Sequence, residues 1–147
     1  MQEAKIPVAM DSGSCDNVIH PDDPPEDIVI VPDPPGTKHF KGANDSHIER
    51  YGTIATTLKQ DGKAAIRGNW VGADVSRALH SVSTVCGPPK TPKQDVLFDS
   101  EKCYVVPPGI VKKIMETIKA VAEYDRVGGL YIAEMTVSSF ARPGVSA

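Results

Sequence analysis

The chain is poor in the residue types that most often announce a chemistry. Its three cysteines, Cys15, Cys86 and Cys103, form no even framework for disulfides, which points to a reducing compartment and a cytoplasmic protein. The four histidines (His20, His39, His47, His80) are scattered, and no cysteine pair has the close spacing of a zinc site, so neither a metal nor any other cofactor is expected. Aromatic residues make up only 5% of the chain, with a single tryptophan. No apolar run is long enough to span a membrane, and no charged-then-apolar signal segment opens the chain, so no membrane partner is expected. Lys and Arg number 16 against 19 Asp and Glu, a net charge of −3 without a basic stripe, which argues against a nucleic-acid partner. A Gly-X-Ser-X-Gly elbow is also missing, which disfavours a serine hydrolase built on Ser12 or Ser14.

What is present is turn chemistry. Thirteen prolines and twelve glycines in 147 residues call for many turns and short strands, and therefore a mainly β domain. Ile6, Val8 and Met10 share one face of a first strand that is broken by Ser12-Gly13, which leaves Asp11 where burial ends and a tight turn begins. Val18-Ile19 resumes an apolar strand. Prolines bracket Ile28 to Val31, four β-branched residues in succession that predict a short strand buried on both faces. The carboxylates beside it, Asp22, Asp23, Glu26 and Asp27, read as a solvated acidic loop rather than a metal site.

Two hairpins are expected next. Lys38 to Lys41 and His47 to Gly52 alternate polar and apolar residues around a turn at residues 42–46. Thr53 to Leu58 and Ala64 to Val71 flank Gln60-Asp61-Gly62-Lys63, where Asp-Gly is a strong turn signal, and Trp70 is assigned to the core. Ala78, Leu79, Val82 and Val85 have the spacing of a short helix ended by Gly87-Pro88-Pro89, and Val96-Leu97-Phe98 reads as a core strand. Cys103 to Val106 predicts a strand. Ile110, Val111, Ile114, Met115, Ile118, Val121 and Ala122 then predict an amphipathic helix of about four turns packed on the domain. Gly128-Gly129 ends that segment and Leu130 to Val137 reads as a final strand, with a frayed tail from Phe140.

The run Ala9-Met10-Asp11-Ser12-Gly13-Ser14, with Val18-Ile19 after it and Ala78-Leu79-His80-Ser81-Val82-Ser83 further on, resembles the retropepsin-like aspartic proteases, in particular those of copia-type retroelement polyproteins. The resemblance covers about residues 4 to 98. It implies a retropepsin-like closed β-barrel with a short helix over residues 1–98, followed by a C-terminal extension of strand, helix and strand over 99–147. The family carries a further strand ahead of the Asp motif, which implies that Met1 opens a segment cut from a longer polyprotein.

The resemblance also implies a chemistry. Aspartic proteolysis needs two carboxylates about 3 Å apart that share one proton, so that one activates a water and the other hydrogen-bonds the peptide carbonyl oxygen. The chain has one Asp-Ser-Gly. The family therefore implies a homodimer with Asp11 from each copy on the two-fold axis, Ser12 bonded across it and Gly13 admitting main-chain groups. Ser14, Cys15 and Asp16 would line the substrate cleft. The first hairpin, through Phe40, Gly42, Ala43 and Ile48, would be the flap over an extended peptide or polyprotein substrate, the residues alone being equally compatible with an ordinary surface hairpin. Arg77 would either support the dimer by pairing with a carboxylate near Asp11, such as Asp16, or stand as a surface arginine. The rival reading is a catalytically degenerate module that dimerises or binds peptides without cleaving them.

Overall fold

The computed structural model describes residues 4–25, 28–36, 40–41 and 47–139. Its centre is one five-stranded mixed sheet. The first strand, β1 (Val8–Asp11), is followed by β2 (Val18–Ile19), and a separate ribbon pairs β3 (Phe40–Lys41) with β4 (His47–Ile48). Next come β5 (Arg50–Leu58), β6 (Ile66–Ala73) and β7 (Ala78–Ser81), the last running straight into helix α1 (Val82–Cys86). β8 (Asp95–Phe98) and β9 (Cys103–Val106) form a ribbon, α2 (Ile110–Met115) follows, and β10 (Asp125–Val127) closes a hairpin with β11 (Leu130–Ile132).

The sheet order is β1-β7-β2-β6-β5. β5 and β6 are the long antiparallel hairpin expected around Asp61-Gly62, with Gly62 at a φ of 75° in the turn. β5 starts earlier and β6 runs further than their apolar runs suggested. β2 pairs parallel to β6 and antiparallel to β7, and β7 pairs parallel to β1. Alternation of side chains along β2 and β6 buries both faces. Ile19 and Trp70 join Ile54 and Ala78 on one face, with Ile28, Ile30 and Leu58 against them; Val18, Val71 and Ala73 gather on the other. Trp70 is 1% exposed, as its assignment to the core required. At the far edge of the sheet Arg50 donates through Nε to Asp33 at 2.7 Å and through Nη2 at 3.1 Å, a two-pronged pair that ties the Pro32–Pro35 segment to β5.

Several expectations are corrected. Among the described residues no sheet closes into a barrel: the edge strands β1 and β5 do not pair with each other, and β3–β4, β8–β9 and β10–β11 each pair only as separate two-stranded ribbons. A barrel needs every edge paired. The closed-barrel fold implied by the family resemblance therefore does not describe this chain, and the retropepsin-like description of its architecture falls with it. Its fold class is a mixed β-sheet with small helices.

Ile28 to Val31 is no doubly buried strand. Only Val31 makes a bridge, to Thr53, while Val29 and Val31 are 76% and 62% exposed and Ile28 and Ile30 face the core. The predicted helix from Ala78 to Val85 is a strand as far as Ser81 and a helix only from Val82. Phe98 is exposed rather than core, because β8 has β9 as its only strand partner. The long C-terminal helix stops at Met115 and buries none of its residues. Glu116 and Thr117 turn back to Lys113 and Ile114, and with no packed face the rest of the stripe has nothing to hold it helical. The final strand ends at Ile132 instead of Val137. The tail from Phe140 and the turn at residues 42–46 lie outside the described residues.

Candidate functional site

The site follows from how β1 and β2 are connected. They are consecutive in sequence, yet β7 lies between them, so the link at residues 12–17 must span two strand spacings, about 10 Å, and arch over the end of β7. An arch of that width needs internal support. Ser81, fully buried at the end of β7 and opposite Asp11 in the register, supplies it. Its hydroxyl donates to the Ser14 carbonyl at 2.6 Å, meets the Ser83 hydroxyl at 3.0 Å and accepts the Thr84 amide at 3.3 Å, capping α1. The Ser81 amide donates to Asn17 Oδ1 at 2.8 Å, and Thr84 Oγ1 donates to the Cys15 carbonyl at 3.2 Å. Asn17 Nδ2 reaches the Asn69 carbonyl at 3.5 Å, which ties the arch to β6 as well.

At the top of this support Asp11 ends β1, half-buried. The Gly13 amide donates to its Oδ1 at 2.7 Å. A Cβ on Gly13 would stand 3.2 Å from that same oxygen, so glycine here lets the backbone come close to the carboxylate. Oδ2 accepts no hydrogen bond among the described residues. One carboxylate oxygen is thus fixed by the main chain, and the other is left without a hydrogen bond among the described residues. No second carboxylate is hydrogen-bonded to Asp11 among the described residues.

Ser12 and Gly13 are exposed, and Ser12 lines a groove of about 420 Å³ together with Val82, Phe98, Tyr124 and Tyr131. Three of these side chains come from beyond α1, which the sequence left out of the site. β8 brings Phe98, and the hairpin β10–β11 with the residue that enters it brings Tyr131 and Tyr124. Gly129, in its turn, packs so tightly on the arch that a Cβ would fall 2.7 Å from that of Cys15. Arg126 donates to the Gly87 carbonyl at 2.5 Å, at the C-terminal end of α1. The Tyr131 hydroxyl is bonded to the Cys86 sulfur, and burial holds both groups above their ordinary pKa values.

The remaining sequence-chosen residues divide clearly. Ser14 is half-buried with its hydroxyl donating to the Asp16 carbonyl at 2.6 Å, so it braces the arch rather than facing outward. Cys15 and Asp16 are exposed on the arch. Arg77 is exposed and makes no ion pair with Asp16 among the described residues, in line with the surface arginine that was the alternative. Phe40 and Ile48 face each other across the β3–β4 register, a ribbon not hydrogen-bonded into the main sheet, while Gly42 and Ala43 lie outside the described residues. Among the described residues no group of three His, Cys, Asp or Glu side chains is placed to hold a metal ion, and no helix is long and apolar enough to cross a membrane.

Asn17, Ser81 and Ser83 were also missed. Their signal was present: small polar residues set inside apolar runs are either solvated or the anchors of a buried network. Comparison with protein-family models, with curated proteins and with solved structures gives no match.

Proposed function

We propose that the protein is an aspartic endopeptidase active as a homodimer, with Asp11 of two copies forming the catalytic pair and an extended polypeptide as substrate. The observation that carries this reading is the presentation of Asp11: one oxygen is held by the Gly13 amide at 2.7 Å, the other accepts no hydrogen bond among the described residues, and the next residue, Ser12, lines a groove. A carboxylate held this way keeps its orientation while its free oxygen takes a proton from water or returns one to a leaving group. A single copy supplies only one such group, and two are needed to share the proton between attack and departure. A two-fold dimer brings the same turn from both copies together with no further residue required. The pair then titrates as a unit, not as two independent acids.

A second reading is a module that binds peptides without cleaving them, favoured by the absence of a second carboxylate hydrogen-bonded to Asp11 among the described residues. The two readings part on one experiment. Purified protein and its Asp11→Asn variant are incubated with an unbiased peptide library across acidic to neutral pH while molecular mass is recorded. Hydrolysis by the dimeric parent alone, with the variant folded and of equal mass, supports the enzyme. Hydrolysis retained in Asp11→Asn overturns it, and a folded dimer that cleaves nothing favours the binding module.

A further inference from the structure

We propose that the C-terminal hairpin and β8 build a substrate subsite onto the Asp11 turn, one that takes a large apolar side chain of an extended peptide, with Phe98 and Tyr124 as specificity-determining residues. The assignment of this groove to a substrate rests on the hydrolytic reading of Asp11. The groove's walls are two tyrosines, a phenylalanine and a valine, and Ser12 is its only hydroxyl besides those of the tyrosines. Its volume of about 420 Å³ lies in the range of sites that enclose small organic groups. Phe98 and Tyr124 are 57% and 55% exposed although the chain has few aromatic residues. Two such rings left open next to the one braced carboxylate turn are where a passing side chain gains most from leaving water.

The chain itself shows what such a surface accepts. After β11 it carries Met135 back against Tyr124, whose hydroxyl donates to the thioether sulfur at 3.8 Å. An unbranched apolar side chain of a polypeptide thus already lies at the hydroxyl of a tyrosine that lines the groove. Among the described residues no Lys, Arg, Asp or Glu lines it, so its walls offer no ion partner to a charged side chain that leaves water there. The hairpin is fixed for the role rather than draped on the surface: Gly129 abuts Cys15, Arg126 holds the Gly87 carbonyl, and Tyr131 is bonded to Cys86. Tyr131 is therefore a wall residue with a structural duty. Phe98 and Tyr124 make fewer commitments and can be replaced without opening the core.

The test separates this subsite from the hydrolysis it serves. Blocked hexapeptides that differ at one position, carrying Phe, Leu, Ala or Lys, are titrated into the full chain bearing Asp11→Asn while amide NMR signals are followed. The Phe and Leu peptides are expected to shift Ser12, Val82 and Tyr124 and to bind about tenfold more tightly than the Ala peptide, the scale of discrimination by an apolar pocket. Phe98→Ala and Tyr124→Ala should each erase most of that preference at an unchanged folding midpoint. Equal binding of all four peptides, or shifts confined to residues away from the groove, would overturn the subsite. Cleavage by the parent chain without apolar preference would also overturn it while leaving the endopeptidase reading in place. Selective binding with no cleavage by the parent would uphold the subsite and remove the endopeptidase.

Discussion

Replacing Ser81 by alanine tests whether the arch that presents Asp11 is held up by one buried hydroxyl. Ser81 has no exposed surface, and its Oγ serves three groups: the Ser14 carbonyl, the Ser83 hydroxyl and the Thr84 amide. Ser14 and Thr84 are half-buried and recover part of their loss from water. Ser83, at 2% exposed, does not. Stranding one buried polar group costs about 1–3 kcal/mol, and losing an N-terminal cap on a helix adds about 0.5–1 kcal/mol. Ser81→Ala should therefore cost about 2–3 kcal/mol, a fall of roughly 1 M in the urea midpoint for a chain of this size. The companion variant decides the reasoning. If the main penalty is the stranded Ser83 hydroxyl, removing it as well should restore about 1 kcal/mol, so Ser81→Ala with Ser83→Ala should be more stable than Ser81→Ala alone. Urea unfolding followed by Trp70 fluorescence reads all four proteins of the cycle, the Ser83→Ala variant included. A loss under about 0.5 kcal/mol in the single variant, or a double variant that is simply additive, refutes the account.

Two further perturbations probe the frame around the site. Gly52 sits at a φ of 151° beside the irregularity in β5, and a Cβ there would overlap the Val31 carbonyl oxygen and stand 2.8 Å from its carbon. Gly52→Ala should cost about 2 kcal/mol or more by parting the Val31–Thr53 bridge, and an unchanged denaturation midpoint would show that the close approach is not needed. His80 is buried against Trp70, with ring centroids 4.7 Å apart, and burial lowers its pKa from the ordinary 6.5. In the window between the lowered folded value and 6.5 the unfolded chain binds more protons, so this contribution to stability is full above 6.5 and is lost as pH falls through the folded value. The melting temperature should drop on going from about pH 7 to about pH 5, and His80→Phe should lose that part of the slope. An identical slope in the variant would remove His80 as its source.

Local signals in the sequence reached the structure where the neighbours in space were also neighbours in the chain. Asp61-Gly62 between two β-forming runs specifies its own hairpin, and Trp70 has one large face to bury whatever surrounds it. The Ala78 to Val85 segment shows the opposite case. Its apolar spacing suits a helix, but Ala78 to Ser81 gains a strand partner on each side, β1 about seventy residues earlier and β2 about sixty, and those ladder bonds outweigh the local period. Nothing within the segment announces either partner. The C-terminal stripe fails for a complementary reason. Ile110, Val111, Ile114 and Met115 are each 36–40% exposed, so the expected packing that would have carried the helix to Ala122 is missing.

The Asp11 turn was legible because a carboxylate, a hydroxyl and a glycine must be adjacent in sequence to make it. Its surroundings were not, and the topology says why. Once β7 is inserted between β1 and β2, the link between them becomes an arch that stands proud of the sheet, and an arch must be braced from below and flanked at its side. The brace is Ser81 with Asn17; the flank is Gly129 with the tyrosines of a hairpin more than a hundred residues from Asp11. Each of these residues is ordinary by type, and only the insertion of β7 gives it a place at the site. The 99–147 segment is therefore coupled to the chemistry proposed for the first strand: its removal would take the Gly129 contact from Cys15 and strip the groove beside Ser12 of Tyr124 and Tyr131, leaving the carboxylate turn to the brace of Ser81 and Asn17.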